Sequence, residues 1–364
     1  MMVRFATEHV ASIGASSSTA RTMSAYTTMR WLIRGIGAEL LTNVAGRGGC
    51  EWQRAFRVGS MRTPPDAEGD IAVVTGATGG IGSEICHGLA SRGYHVILAA
   101  RDPVRGKALE RSIRASGGSA TFVETRLDDS PGSAVKSVGA AIGRRPCALL
   151  VNNAGVMSVT KREVMTVNLV STATLTVGLL PSLKRHPSPR LVNVGSSSHL
   201  RARSVDPATA TCSELDADLS AYAQSKLGLM LFSTLVRDAL PWLEVCDAHP
   251  GIVWTPMLQR HWGRLAPVLE RSGLARCLFK TPASGATTIL TAAYAPRVPP
   301  AQWREQSRWS RGWRHGPYFV NGRPGGFASR ESRSVEAAKR MWSDLIETVA
   351  REAAPDGCDL ISGG

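Results

Sequence analysis

From Ile71 onward, short runs rich in Val, Ile and Leu alternate with longer stretches of helical periodicity, and this alternation constrains the fold more than any other feature. IAVVTG, HVILAA, TFVETR, CALLVNNAG, RLVNVGSS and LEVCDAHPG each read as a strand. Between them the pattern predicts helices over about 82–91, 103–116, 131–143, 163–184 and 220–239. Strands separated by helices build βαβ units and a parallel sheet. Runs that are apolar throughout, rather than at every second residue, imply burial on both faces. The expected fold class is α/β, a single doubly wound parallel sheet flanked by helices, with an N-terminal extension. The boundaries read as an extension over 1–65, a folded domain over 70–350 and a tail over 351–364.

The extension differs in chemistry from the rest. Its first thirty residues are rich in Ser, Thr, Ala and Arg and poor in acids, as in an organellar transit peptide; a disordered tail is the other reading. Residues 29–45 group Trp31, Leu32, Ile36, Leu40 and Leu41 against Arg34 and Glu39, a pattern that lies on a membrane or caps a domain. No apolar run reaches the ~18 residues of a membrane-spanning helix. The chain's formal charge of +14 is concentrated before Thr63, with eight Arg against three Glu, and again between Arg297 and Arg333. That placement, outside the expected core, favours targeting or membrane contact over a nucleic-acid surface, and no nucleic acid is expected. The seven cysteines are scattered, with no C-x-x-C pair, so reduced thiols are expected and no metal site.

Four stretches carry candidate chemistry. TGATGGIG, residues 75–82, sits between the first strand and its helix. Gly76 suits a tight turn, Gly80 lets backbone approach a pyrophosphate, and Gly82 lets the helix pack close to the strand. Thr78 and Ile81 complete the set expected to touch a dinucleotide. The spacing fits both Gly-x-x-x-Gly-x-Gly and, through Gly79, Gly-x-x-Gly-x-x-Gly. The second strand ends in Ala100-Arg101 rather than in an acid, and a guanidinium there suits a 2′-phosphate, so NADP(H) is expected. Asp102 offers Arg101 a local ion pair instead. At VNNAGV, Asn152 and Asn153 end the fourth strand and support the sheet and a bound nucleoside, while Ala154 and Gly155 allow close approach. Finally, Tyr222 and Lys226 in AYAQSKLGLM share one helical face. An ammonium beside a phenol, which alone titrates near ~10, favours the phenolate; plain packing with a snorkelling lysine is the alternative.

TGATGGIG, NNAG, Ser196 after a strand, Tyr222-x-x-x-Lys226 and HPGIVWTP, in this order over about residues 70–260, resemble the short-chain dehydrogenase/reductase family. NNAG resembles its compact form, which selects Gly-x-x-x-Gly-x-Gly. AARD, AYAQSKLGLMLF and the later GPYF…AAKRMW resemble the retinol-dehydrogenase-like branch. The resemblance implies a Rossmann fold and NADP(H)-dependent interconversion of an apolar carbonyl compound and its alcohol. It implies Tyr222 as acid or base, and Lys226 lowering the phenol pKa and bonding the nicotinamide ribose. Ser196 then holds the substrate oxygen, with Ser197 and Ser198 as neighbouring alternatives, and Asn168 holds a water joining Lys226 to solvent. Asp128 resembles the acid that binds the adenine amino group, with Asp129 one register away. Pro250, Gly251 and Thr255 resemble the loop that contacts the carboxamide and opens into a substrate lid.

The chain also departs from that pattern. Only 13 positions separate Gly155 from Asn168, fewer than in relatives, and AQWREQSRWSRGWRHG reads as an insertion whose Trp303, Trp309 and Trp313 suit a membrane interface or a solvated loop. These departures keep a second reading open, a non-catalytic NADP-binding sensor or scaffold at a membrane. The expected partners are a lipophilic small-molecule substrate, a peripheral membrane contact and, by resemblance, a homodimer. The expected location is intracellular: a mitochondrion or plastid if the start is a transit peptide, otherwise the cytoplasm or a membrane periphery.

Overall fold

The computed structural model describes residues 69–157, 159–295, 318–324 and 328–362, all within Cys50–Gly364, the larger of two compact units. The expected extension over 1–65 and the Arg/Trp-rich insertion over 303–315 lie outside the described residues.

The alternating runs form β1 (Ile71–Thr75), α1 (Gly80–Ala90), β2 (His95–Ala100), α2 (Pro103–Ala115), β3 (Ser119–Glu124), α3 (Pro131–Ile142) and β4 (Cys147–Asn152). They continue as α4 (Lys161–Lys184), β5 (Arg190–Val194), α5 (Ser220–Ala239) and β6 (Glu244–His249). The sheet order is β3-β2-β1-β4-β5-β6, extended by β7 (Tyr318–Val320) and β8 (Arg323–Pro324). All neighbouring pairs through β7 are parallel, and β8 runs antiparallel at the edge. β1 and β4 are buried at every residue, as their unbroken apolar runs require. One core packs the sheet against α3, α4 and α5, with Leu150, Met165, Leu175 and Phe232 in it. The other packs it against α1 and α9 (Pro282–Tyr294), through Ile85, Leu89, Ile289 and Phe319. Winding reverses between β1 and β4, the switch point beyond whose strands' carboxyl ends sheets of this kind bind ligands.

α4 is long and apolar enough to cross a membrane, with mean hydropathy 1.5, but 78% of that window is buried inside the protein, so it serves as a core helix. A π turn at Thr166–Val170 interrupts it. After β6 come three short helices, α6 (Pro256–Trp262), α7 (Ala266–Arg271) and α8 (Leu274–Leu278). Their inner side buries Leu258, Ala275 and Phe279 against Trp254, Trp262 and Met157. Leu265 and Val268, in the same apolar run, face outward and are exposed. The tail expected from 351 onward is also helical. The final helix, Pro355–Ser362, buries Cys358 and Ile361 in the core beside α4. Gly357 makes that approach feasible, since a Cβ there would lie 2.0 Å from the Val177 carbonyl oxygen.

Candidate active site

The turn after β1 is shaped by contacts that only glycine tolerates. Gly76 has φ +63°, and a Cβ on it would stand 2.8 Å from Ala154 Cα; one on Gly82 would stand 2.2 Å from the Gly76 carbonyl oxygen. The NNAG segment latches this turn. The amides of Asn153 and Ala154 both donate to Thr75 Oγ1 at 3.0 Å, and Asn153 Nδ2 donates to the Thr75 and Gly76 carbonyls at 3.0 and 3.2 Å. Asn153 therefore holds the loop's shape rather than reaching into the cleft. Asn152 points into the sheet, donating to Thr176 Oγ1 and Asn193 Oδ1, both at 2.8 Å. Helix α1 starts at Gly80 with no side-chain cap on its first turn, which leaves the amide end that suits an anion.

At the end of β2, Arg101 does not pair with Asp102. Asp102 caps α2 by accepting from the Arg105 amide at 3.0 Å, and Arg101 Nη1 reaches Asp128 Oδ2 at 3.5 Å. Arg126 approaches the same carboxylate oxygen at 3.3 Å, which places Asp128 rather than Asp129 among the cleft's arginines. Asp128 Oδ1 is buried and accepts no hydrogen bond, a position that an adenine amino group would satisfy. Arg105 was not singled out in the sequence; its Nη2 donates to the Thr78 carbonyl at 2.6 Å, so a second guanidinium borders the glycine turn. A glycine turn with no room for side chains, an uncapped helix start, an unpartnered carboxylate oxygen and two arginines together fit an adenine dinucleotide. On the far side, Thr255 caps α6, and a Cβ on Gly80 would meet its methyl at 3.6 Å; Pro250 and Gly251 (φ +84°) are gripped by Lys280 from the end of the lid.

Tyr222 and Lys226 lie on α5, and Ser196 follows β5. The structure joins them. Of the three serines, Ser196 is the one whose hydroxyl lowers the Tyr222 phenol's pKa, and its Oγ donates to Ser198 Oγ at 3.1 Å. Lys226 Nζ lies 5.8 Å from the centre of the Tyr222 ring and donates to the Val194 carbonyl at 2.9 Å. Asn168, in the π turn of α4, comes to the same place despite the short connection. Its Oδ1 accepts from the Val156 amide at 2.7 Å, and its Nδ2 donates to Val156 O at 3.0 Å and Ser225 Oγ at 3.1 Å. A Cβ on Gly155 would stand 3.4 Å from Asn168 Oδ1 and 3.6 Å from Lys226 Nζ.

The electrostatics differ from the expectation. Burial pushes the Tyr222 phenol above its ordinary value, and the Ser196 hydrogen bond draws it only part of the way back. Burial also disfavours the neighbouring ammonium and lowers Lys226 to about 8. The phenol is therefore protonated at neutral pH.

Sequence reasoning also missed what fixes the start of α5. Leu219 turns the chain with φ +61° and caps nothing. Instead the buried Asp216 carboxylate accepts from the amides of Ala221 and Tyr222 at 3.0 and 2.9 Å, satisfying the open end of the helix that carries the phenol. The signal was present in LDADLSAY, where aspartates cluster just ahead of a helix start.

Comparison with known proteins agrees with this geometry. A family model described as short chain dehydrogenase matches residues 70–264. The chain is 36% identical over 260 residues to polyprenol dehydrogenase of Mus musculus, covering 66% of this chain and 76% of that protein. It is 29% identical over 310 residues to retinol dehydrogenase 12 of Mus musculus, covering 81% of this chain and 91% of that one. Among solved structures, a 3-oxoacyl (acyl-carrier-protein) reductase of Agrobacterium tumefaciens with NADP bound superposes with TM-score 0.52 at 26% identity, covering 66% of this chain and 92% of that one. An uncharacterised protein of Mycobacterium paratuberculosis shares the fold, with TM-score 0.53 at 24% identity over 81% of this chain and 97% of that one.

Proposed function

We propose, for a chain that belongs to the short-chain dehydrogenase family and resembles its retinol dehydrogenases, NADP(H)-dependent interconversion of an apolar carbonyl compound and its alcohol. The observation that carries this reading is the Ser196–Tyr222–Lys226 group, set beside a glycine turn shaped for a dinucleotide.

A bound reduced nicotinamide supplies hydride to the carbonyl carbon. Tyr222 gives its hydroxyl proton to the carbonyl oxygen, which becomes the alcohol hydroxyl. Ser196 Oγ donates to the same oxygen, so both groups act where negative charge develops. In the oxidative direction the same phenol, as phenolate, would take the proton of the alcohol. Lys226, behind the phenol and tied to Val194 O, would hold the nicotinamide ribose, and Asn168 stiffens the wall next to it. The absence of an acid at the end of β2, and the placement of Arg101 and Arg105 around the glycine turn, support NADP(H) over NAD(H). The test is NADPH consumption by the purified chain across a panel of apolar aldehydes and ketones. Tyr222→Phe is expected to lower turnover roughly 10²- to 10⁴-fold with NADPH binding retained. Absence of turnover by cofactor-loaded wild type across the panel ends this reading.

The lid supports a lipophilic substrate taken from an anionic membrane surface. Its inner side is apolar, and its outer side exposes Leu265, Val268 and Leu274 among the exposed Arg260, Arg264, Arg271 and Arg276. The lid's one carboxylate, Glu270, accepts from Trp254 Nε1 at 2.9 Å and Gln259 Nε2 at 2.8 Å. Apolar side chains ringed by guanidinium groups match the headgroup region of an anionic bilayer. Replacing Leu265, Val268 and Leu274 together by Ser is expected to weaken binding to phosphatidylserine-containing vesicles about tenfold or more, with turnover of a short water-soluble aldehyde unchanged. Equal vesicle binding by wild type and variant removes the lid from the membrane contact.

A further inference from the structure

His199 lies three residues beyond Ser196, in the short 3-10 turn Ser197–Arg201, and is fully buried. Both ring nitrogens face backbone groups. Nδ1 is 2.6 Å from the Ser196 carbonyl oxygen, which can only accept, so Nδ1 carries the proton. The Ser329 amide, which can only donate, points at Nε2 from 3.4 Å, so Nε2 is the bare nitrogen. A single neutral tautomer satisfies both partners. The ring packs edge-on against Tyr318 of β7, with centroids 5.7 Å apart.

Ser329 belongs to a tightly knotted segment far along the chain. Ser332 donates its amide to Ser329 Oγ and its hydroxyl to Ser329 O, and Thr234 of α5 donates to Ser332 O at 2.9 Å. The imidazole thus bridges a rigid piece of the C-terminal region and the carbonyl of the residue whose hydroxyl meets the phenol. We propose that His199 is a positioning residue for the reaction above: as a fixed Nδ1–H tautomer anchored on Ser329, it sets the backbone of Ser196 and so aims Ser196 Oγ at Tyr222. The mechanism rests on the reductase reading, but the tautomer and the anchoring do not.

Two replacements of similar size separate the two ends of the bridge. In His199→Asn the amide nitrogen reproduces the Nδ1 donor and loses the contact with Ser329. In His199→Gln the side-chain amide reaches the Nε2 position and gives up the bond to Ser196 O. The structure predicts that His199→Asn keeps kcat within about twofold of wild type. It predicts that His199→Gln lowers kcat roughly tenfold with KM for NADPH unchanged, because a misdirected serine weakens the chemical step rather than cofactor binding. Equal losses in both variants, or an undiminished kcat in His199→Gln, overturn the proposal. A readout independent of turnover comes from long-range proton–nitrogen NMR of the 15N-histidine-labelled full chain. An Nδ1-protonated, Nε2-bare ring at His199 is expected, and the opposite tautomer or a charged ring overturns the assignment even if the protein proves to be an active reductase. If wild type lacks turnover while this tautomer is observed, the reductase reading fails and the bridge stands.

Discussion

Lys226 bears a cost that the rest of the site depends on. Burial removes water from the charged ammonium, so its pKa falls from 10.5 to about 8 while it stays mostly protonated at pH 7. Below about pH 8 both folded and unfolded chains hold the proton, and the penalty is fully present. Between about 8 and 10.5 the unfolded chain keeps a proton that the folded chain has released, so stability rises with pH across that window. Lys226→Met removes the penalty and leaves Val194 O without its donor, so a net gain of ~1–2 kcal/mol at pH 7 is expected, seen as a higher denaturation midpoint alongside lost turnover. In the wild type, reductive turnover is expected to decline as pH rises past about 8; a rate that stays flat to pH 10 would mean the ammonium is not required. Arg101 makes a separate prediction. Its replacement by Ala is expected to raise KM for NADPH roughly 10- to 100-fold and to leave NADH nearly unaffected, since one charge-assisted contact to a 2′-phosphate is lost. Equal effects on the two cofactors would place Arg101 outside the phosphate site.

At the scale of elements, α5 is held to the sheet by a buried polar chain. Asn152 donates to Asn193, Asn193 to Ser233 at 2.7 Å, Ser233 to Asp247 at 2.6 Å, and Arg237 Nη2 meets the same carboxylate at 2.5 Å. The pair is largely buried, so removing one member is far costlier than replacing both. Arg237→Met alone is expected to cost ~3 kcal/mol in chemical denaturation, and Arg237→Met with Asp247→Leu to recover much of it. Gly82→Ala should abolish NADP(H) binding and lower thermal stability, because its Cβ would strike the Gly76 carbonyl; unchanged cofactor affinity would contradict that geometry. Elements were the most legible level of the sequence. α5 spans the expected 220–239, and each apolar run became a strand, because burial on both faces leaves an unbroken hydrophobic signal. The groups that hold the site in shape were hidden. Thr75 acts on the amide of Asn153, 78 positions away, and His199 reaches Ser329, 130 positions away, at separations that carry no periodic mark, whereas Asp216 was signalled by the aspartates ahead of the helix start. The split of the lid into an inner and an outer apolar side was also hidden, since three short helices present Leu258 and Val268 in opposite directions while the sequence shows only an oily run.

At the scale of the whole molecule, the sheet is assembled from widely separated parts of the chain. β6 ends at His249, and its outer neighbour begins only at Tyr318, pairing Asp247 with Tyr318, Ala248 with Phe319 and His249 with Val320. During synthesis, Ser196, Tyr222 and Lys226 all emerge well before this final parallel strand. Until it arrives, β6 presents a row of unpaired backbone groups to whatever other chain is nearby, and that is the geometry from which aggregates grow. A product halted at 295 should therefore carry its complete Ser196–Tyr222–Lys226 group into inclusion bodies, whereas one extended through 362 should stay in solution, a difference that fractionating cell lysates would reveal. Solubility, on that view, depends on a late strand and helices that carry none of the Ser196–Tyr222–Lys226 group.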